Sequence, residues 1–283
     1  MQIVKRRNKA AICLLCLVIL LSACHTEPPE NAPAEVIFLD VGQGDCALIR
    51  TEEGDILIDA GTEASQSALC MRLESLGVKE LALAIFTHGD EDHMGGADAV
   101  ASMLSPREIW LGGELPDNET AARFSSAVDP SQTALVQVTS GTVRQIGDLT
   151  VSVFYPFDAD AVSENDTSVV VKIGFGDVEM LFMGDVGTDG EAAMLAHFGK
   201  DQLDCDLLKV GHHGSNTSTG EDFLSAVSPQ YAVISCGAGN SYGHPTGAVL
   251  QRLERAGVTV LRTDLLGEIG FLTDGKTLWT VEP

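Results

Sequence analysis

Hydrophobic positions along this chain fall into short runs separated by Gly-rich turns, with longer amphipathic stretches between them. The runs Val36 to Val41, Cys46 to Thr51 and Asp55 to Ala60 predict three β-strands. Leu69, Met71, Leu73 and Leu76, closed by Gly77, predict a helix over "SQSALCMRLESLG". "LALAIFTH" is apolar throughout, as a strand covered on both faces would be. Helices are expected at "ADAVASMLS" and "NETAARFSSAV", the second capped by Asn118, with the strand "EIWL" between them. Strands then dominate through "ALVQVT", "LTVSVFYP", "SVVVKIGF" and "VEMLFMG". The helix "DGEAAMLAHFG", the strand "DLLKVG", the helix "EDFLSAV", the strand "YAVISCG" and the helix "TGAVLQRLERAG" follow. Strands at "VTVLRT", "EIGFLT" and "TLWTVE" close the chain. Two sheet-rich halves, each with its own helices, imply two sheets packed face to face with helices outside.

The first residues do not belong to this pattern. Lys5, Arg6, Arg7 and Lys9 precede an uncharged stretch, Ala10 to Leu21, and then "LSAC". A basic region, a short apolar region and small residues make an export signal, too short to span a bilayer comfortably as a permanent helix. "LSAC" resembles a bacterial lipobox. That resemblance implies cleavage before Cys24, lipidation of its thiol, and attachment to the membrane facing outside the cytoplasm. An ordinary N-terminal anchor helix is the plainer alternative. The expected organisation is a signal over residues 1–23, a Pro-rich acidic tether over 24–35, and one domain over 36–283.

Charge narrows the partners. The whole chain carries −24; without the four N-terminal basic residues, 13 basic residues face 41 acidic ones, which gives −28. Such a surface repels long nucleic acid and anionic lipid. A small phosphate ester stays accessible, because a bound metal can reverse the field locally. Cys46, Cys70, Cys205 and Cys236 lie scattered in apolar runs, and their spacing demands no disulfide.

The chemistry concentrates in "IFTHGDEDHMGG". His88 ends an apolar strand, and Asp90, two residues on, points the same way in extended backbone. Gly89 removes a side chain that would crowd them, while Gly95 and Gly96 permit close packing. Asp92 and His93 follow as the chain turns into a helix. Imidazole and carboxylate together suit Zn, Mn or Fe better than Ca or Mg. Two further apolar strands end in donors: Asp185 in "EMLFMGD", and His212 and His213 in "DLLKVGHHGS". Donors at three strand ends on one sheet edge make a coherent site.

"THGDEDHMGG" resembles the H-x-[HD]-x-D-H signature of the metallo-β-lactamase superfamily. Together with "FLDVGQGDCALI", "DILIDAG", "LFMGD", "LLKVGHHGS" and "YGHP" it is similar to the hydrolase domain of ComEC-type competence proteins. The resemblance runs from about Val36 to Val281 and implies an αββα sandwich with a dinuclear metal site. It implies that His88 and Asp90 hold one ion, that Asp92, His93 and His213 hold the other, and that Asp185 bridges. Asp90 stands where most of the superfamily has His. No histidine matches the further ligand of the first ion, so Asn165, in "SENDTSVVVKI", or a water takes that role. The chain has no multi-helix channel, which argues against a DNA uptake channel.

The expected function is that of a metal-dependent hydrolase, a phosphodiesterase. Two divalent ions, Zn or Mn, would lower the pKa of a shared bridging water so that hydroxide is available near neutral pH. Asp92, His244 and His212 are the candidate catalytic residues, His244 or His212 serving the leaving oxygen. His212 is also an alternative to His213 as ligand. Asp59 resembles a buried carboxylate that braces the metal loops. Asp40, Gln43 and Asp45 lie in a Gly turn expected to face the site, with a plain hairpin turn as the simpler reading. The substrate is a small or polymeric phosphodiester: a nucleic acid, a nucleotide or a cell-envelope ester. Two alternatives remain: an idle metal-binding or cell-surface lipoprotein, and a di-iron redox protein of the same fold.

Overall fold

Period-two alternation decides which side chains meet. In β1 (Ala34–Phe38), Val36 and Phe38 point to one face and Ile37 to the other, and all three are buried. A strand buried on both faces must lie inside a multilayered fold. The computed structural model describes residues 28, 29, 31–157 and 168–281. The expected signal, Cys24 and Asn165 lie outside the described residues.

Five more strands, β2 (Ala47–Thr51), β3 (Gly54–Ile58), β4 (Leu83–Phe86), β5 (Glu108–Leu111) and β6 (Ala134–Gln137), follow β1. The next seven are β7 (Val143–Ile146), β8 (Leu149–Tyr155), β9 (Val170–Phe175), β10 (Val178–Phe182), β11 (Leu207–Lys209), β12 (Tyr231–Ile234) and β13 (Thr259–Arg262). The strands β14 (Ile269–Thr273) and β15 (Leu278–Val281) return to the first sheet. Its order is β15-β14-β1-β2-β3-β4-β5-β6, and the second runs β13-β12-β11-β10-β9-β8-β7.

Each sheet has an antiparallel part and a parallel part. In the first, β3 to β6 are parallel; in the second, β10 to β13 are. Three apolar layers hold the four structural layers together. Between the sheets lie Phe38, Ile56, Ile85, Trp110, Ile173, Phe182 and Phe271. Outside the first sheet, Leu57, Phe86 and Leu48 pack on Leu73, Val100 and Phe124 from the helices Gln66–Ser75, Ala97–Leu104 and Glu119–Ala127. Outside the second, Leu181, Leu208 and Ile234 pack on Met194, Phe223 and Leu253 from the helices Thr188–His197, Glu221–Val227 and Gly247–Arg255. This is the expected αββα sandwich.

Most predicted elements are present, with shorter strands at their C-terminal ends. The chain leaves the ladder after Phe38, Phe86, Phe182, Lys209 and Ile234 to form the loops that carry the polar residues. Asn118 does cap its helix, accepting the Ala121 N–H at 2.8 Å. The strand β7 escapes the sequence pattern because it is an edge strand with three exposed residues and so has no alternation to read.

Phe38 joins the two sheets beneath the polar loops, with ring centroids 5.8 Å from Phe182 and 6.2 Å from Phe271. Phe38→Ala should cost about 3–5 kcal/mol of folding stability, read as a lowered midpoint in chemical denaturation. An unchanged midpoint would mean that the inter-sheet layer is not the main source of cohesion.

Candidate metal centre

Parallel strands put their C-terminal ends on one edge, and open α/β sheets bind ligands there. From the first sheet, β3 delivers Asp59 and β4 delivers Thr87 to His93. From the second, β10 delivers Asp185, β11 delivers His212 and His213, and β12 delivers Ser235. The two edges face each other, and the donors meet between them.

Each side chain has a local cause. Asp90 is extended (φ −69°, ψ 149°) and opens the one-turn helix Glu91–Met94, so its carboxylate turns back to within 3.4 Å of His88 Nε2. Gly89 is required, though for a different contact than the sequence suggests: a Cβ there would come 2.6 Å from Cγ of Pro116. Gly96 meets the expectation of close packing, since a Cβ on it would strike the Ala60 carbonyl. On the other sheet, His212 (φ 49°) and His213 (φ 50°) are both left-handed. Such backbone costs about 1–3 kcal/mol per residue and persists only where its surroundings enforce it. Here His212 N–H donates to the Gly184 carbonyl at 3.0 Å, and Ser218 Oγ donates to the Gly211 carbonyl at 2.7 Å. The buried Glu191 carboxylate accepts backbone N–H groups from Thr219 and Gly220 beyond them.

The result is a crowded polar cluster. His93 Nε2 lies 3.2 Å from Asp185 Oδ1 and 3.3 Å from His213 Nε2. His213 Nε2 lies 3.2 Å from Asp92 Oδ2 and 3.7 Å from Asp185 Oδ2. His88 Nε2 is 4.0 Å and His212 Nε2 3.7 Å from Asp185 Oδ2. Asp185 thus faces all four imidazoles. His88, His93, His213 and Asp185 are buried, whereas Asp90, Asp92 and His212 are partly open to solvent.

The outer nitrogens of the rings are already committed. His93 Nδ1 donates to Asp59 Oδ2 at 2.8 Å. Asp59 also accepts the Thr87 N–H (2.8 Å) and its hydroxyl (2.9 Å). The single Thr87 proton therefore goes to Asp59, and the same oxygen accepts from His88 Nδ1 at 3.1 Å. His213 Nδ1 donates to the Ser235 carbonyl at 3.0 Å. In their neutral forms all three rings then present Nε2 inward as an acceptor, toward each other and toward carboxylates. His88 Nε2 and Asp185 Oδ1 have no hydrogen-bond partner there. Acceptors facing acceptors in a buried site call for positive charge between them, which protons on the rings or bound metal ions can supply.

Proton affinities tell the same story. Burial opposes a charged imidazole, yet the Asp185 and Asp59 carboxylates raise His93 well above its ordinary value. His213 is pushed up to about 10, because Asp185 and Asp45 outweigh its burial. Burial also disfavours the Asp185 carboxylate, but His93 and His213 hold it well below the usual range. The cluster stabilises positive charge strongly. Asp45, His93, Asp185 and His213 each offer a ligand atom within 4.8 Å of the others, so the buried Asp/His cluster can hold metal ions.

The remaining expected residues divide. His244 joins the site from the loop after β12, its ring 5.7 Å from that of His212 and 6.5 Å from that of His213. Burial and repulsion from His212 and His213 lower its pKa. Asp40 stays outside the cluster: it is exposed, and its Oδ1 accepts the Gly42 N–H at 3.1 Å to shape the turn. Gln43 is spent on a loop contact, accepting the Gly237 N–H at 3.1 Å. Asp45 is buried and lies on the Nδ1 side of His213, 3.2 Å away. Sequence reasoning missed Thr87 and Lys209. The signal for Lys209 was a lysine inside the otherwise apolar "LLKV"; Thr87 left none beyond its adjacency to His88.

Comparisons with known proteins agree with this geometry. ComE operon protein 3 of Bacillus subtilis is 32% identical over 262 residues, covering 86% of this chain and 34% of that protein. Competence protein ComA of Neisseria gonorrhoeae is 34% identical over 258 residues, covering 90% of this chain and 35% of that protein. The chain thus spans about a third of the length of these relatives. Among solved structures, the metallo-beta-lactamase fold protein YhfI of Bacillus subtilis superposes with a TM-score of 0.53 at 11% identity, over 87% of this chain and 99% of that one. CmlA, a diiron beta-hydroxylase from Streptomyces venezuelae, gives 0.57 at 13% identity, over 87% of this chain and 55% of that one. At such identities these two likenesses speak for the fold alone. The Metallo-beta-lactamase superfamily profile matches residues 39–238. With the two-sheet sandwich and its strand-end Asp/His cluster, this match settles the classification: the chain belongs to the metallo-beta-lactamase superfamily.

Proposed function

We propose that this protein is a metal-dependent hydrolase that acts on small phosphodiesters with two divalent ions. The observation that carries the reading is the inward Nε2 atoms of His88, His93 and His213, ranged around Asp185 with Asp90 and Asp92 beside them. His93, His213 and Asp92 would hold one ion, His88 and Asp90 the other, and Asp185 would serve both. Zn and Mn suit this mixture of imidazole and carboxylate. When bound, such ions act as Lewis acids toward a phosphoryl oxygen and make water acidic enough to yield a nucleophile near neutral pH.

The chain's own residues supply the rest. Asp59 and Thr87 lock the orientation of His93 and His88, so the donors are organised before any ion arrives. His244 stands beside the cluster, and its lowered pKa favours the neutral ring, whose N–H can stabilise a leaving oxygen by hydrogen bonding without giving up its proton. His212, with its Nε2 facing Asp185 and its ring partly open, is the second group placed to serve the leaving oxygen. The net charge of −24 disfavours long duplex DNA and leaves small anions to the local field of the ions. Lipidation of Cys24 would place the domain at the outer face of a membrane, with residues 24–35 as tether. Among the described residues no helix is long and apolar enough to cross a membrane.

Metal content tests the bridge. Asp185→Ala should lose both ions, whereas His213→Ala should keep one; full stoichiometry in Asp185→Ala would remove the bridging role. Activity is tested with bis(p-nitrophenyl) phosphate beside linear DNA, each over a salt series. Lewis-acid stabilisation is worth several kcal/mol, so Asp92→Ala should lower kcat/KM on the diester about a thousandfold. The small diester should respond little to salt, and slow DNA cleavage should rise with it. Rapid DNA cleavage that falls steeply with salt would instead reveal a basic binding track. For location, Cys24→Ala should leave the membrane fraction or stay there as the larger, unprocessed chain; a Cys24→Ala chain of processed size in the membrane fraction would refute the lipid anchor.

A further inference from the structure

Lys209 is a charged residue where the fold expects none. It ends β11, is 3% exposed, and sits among the inter-sheet side chains. Its ammonium is nonetheless engaged. Nζ donates to the Val210 carbonyl at 2.9 Å and pairs with Asp45 Oδ2 at 2.5 Å. Asp45 is itself 5% exposed and comes from the side of the opposite sheet, in the loop two residues before β2. This ion pair therefore crosses the sandwich directly behind the cluster.

Asp45 reaches both halves of one expected ion site. Its backbone N–H donates to the Asp92 carbonyl at 3.1 Å, and its carbonyl accepts the Gly61 N–H at 2.9 Å. Its Oδ1 lies 3.2 Å from His213 Nδ1. That N–H is aligned on the Ser235 carbonyl, and Asp45 Oδ1 stands off its axis as a charged neighbour without a hydrogen bond of its own. Asp45 is thus tied through the backbone to Asp92 and through the carboxylate to His213. Although it falls within the group of four ligand atoms, one of its oxygens is held by Lys209 and the other faces the outward nitrogen of His213.

We infer that Lys209 and Asp45 are a positioning pair: the lysine holds the carboxylate against the Nδ1 side of His213, which keeps Nε2 aimed at the ion shared with Asp92 and His93. The inference rests on the reading of the cluster as a metal centre. A carboxylate buried without its ammonium is an uncompensated charge, and it would leave its place beside the ring. Polar partners behind a metal-bound histidine typically change metal affinity by about 10–100-fold. Removing both charges together leaves nothing unpaired, so the doubly neutral variant is the one expected to fold in every case.

The experiment titrates apo-protein with Co(II), following visible absorption and competition with a chromophoric chelator. It compares wild type with Lys209→Met, Asp45→Asn and the double variant, with unfolding midpoints measured alongside. Each single variant should weaken one of two Co(II) sites about 10–100-fold and alter its absorption bands, leaving the other site unchanged. The double variant should be no weaker than the worse single one, because both residues act through His213. Wild-type affinity and bands in the double variant would show a purely structural brace and overturn the inference. Additive losses would overturn it too, since they would mean two independent roles. Wild-type protein that takes up no Co(II) would overturn the metal reading itself, and the inference with it.

Discussion

The site depends on one constraint: the imidazoles of His88, His93 and His213 have their Nδ1 protons committed to groups outside the cluster. Asp59, Thr87 and the Ser235 carbonyl make that commitment at 2.8 to 3.1 Å. The Nε2 lone pairs must then face inward, where the carboxylates of Asp90, Asp92 and Asp185 also lie. Positive charge must offset these acceptors, as protons on His93 and His213 or as metal ions in their place. The buried charges would be costly to hold in any other register.

The sandwich is what makes the constraint possible. The first sheet contributes His88, Asp90, Asp92 and His93 and the second Asp185 and His213, all beyond the C-terminal ends of parallel strands, and neither set is complete alone. The apolar layer around Phe38, Phe182 and Phe271 fixes the separation of the sheets. The Asp45–Lys209 pair crosses the same gap with a polar link. The left-handed His212 and His213 show where backbone energy is spent, in the turn that must aim two successive imidazoles at one place. Stability in the core thus underwrites precision at the edge.

Much of this was legible in the sequence, for identifiable reasons. Strands buried on both faces announce themselves as unbroken apolar runs, and "LALAIFTH" delivers His88 where the run predicts. The cluster His88, Asp90, Asp92 and His93 is local, so its spacing could be read directly. Asp185 and His213 were legible because each follows an apolar strand, and the structure brings both against His93. What the sequence did not disclose depends on contacts between distant segments. The proximity of Gly89 to Pro116, the turn-shaping role of Asp40 and the docking of Gln43 on Gly237 belong to the meeting of loops. Lys209 carried a signal, a charge inside a covered strand, whose partner 164 positions earlier could not be named from spacing.

The most direct measurement is anomalous diffraction from crystals of metal-loaded protein, collected above and below the absorption edge of the ion. Two peaks are expected flanking Asp185, one among Asp92, His93 and His213 and one beside His88 and Asp90. A single peak on the His213 side would confine the centre to one ion and remove the bridging role of Asp185. No anomalous signal within the cluster, in protein loaded under conditions that saturate it in solution, would contradict the account.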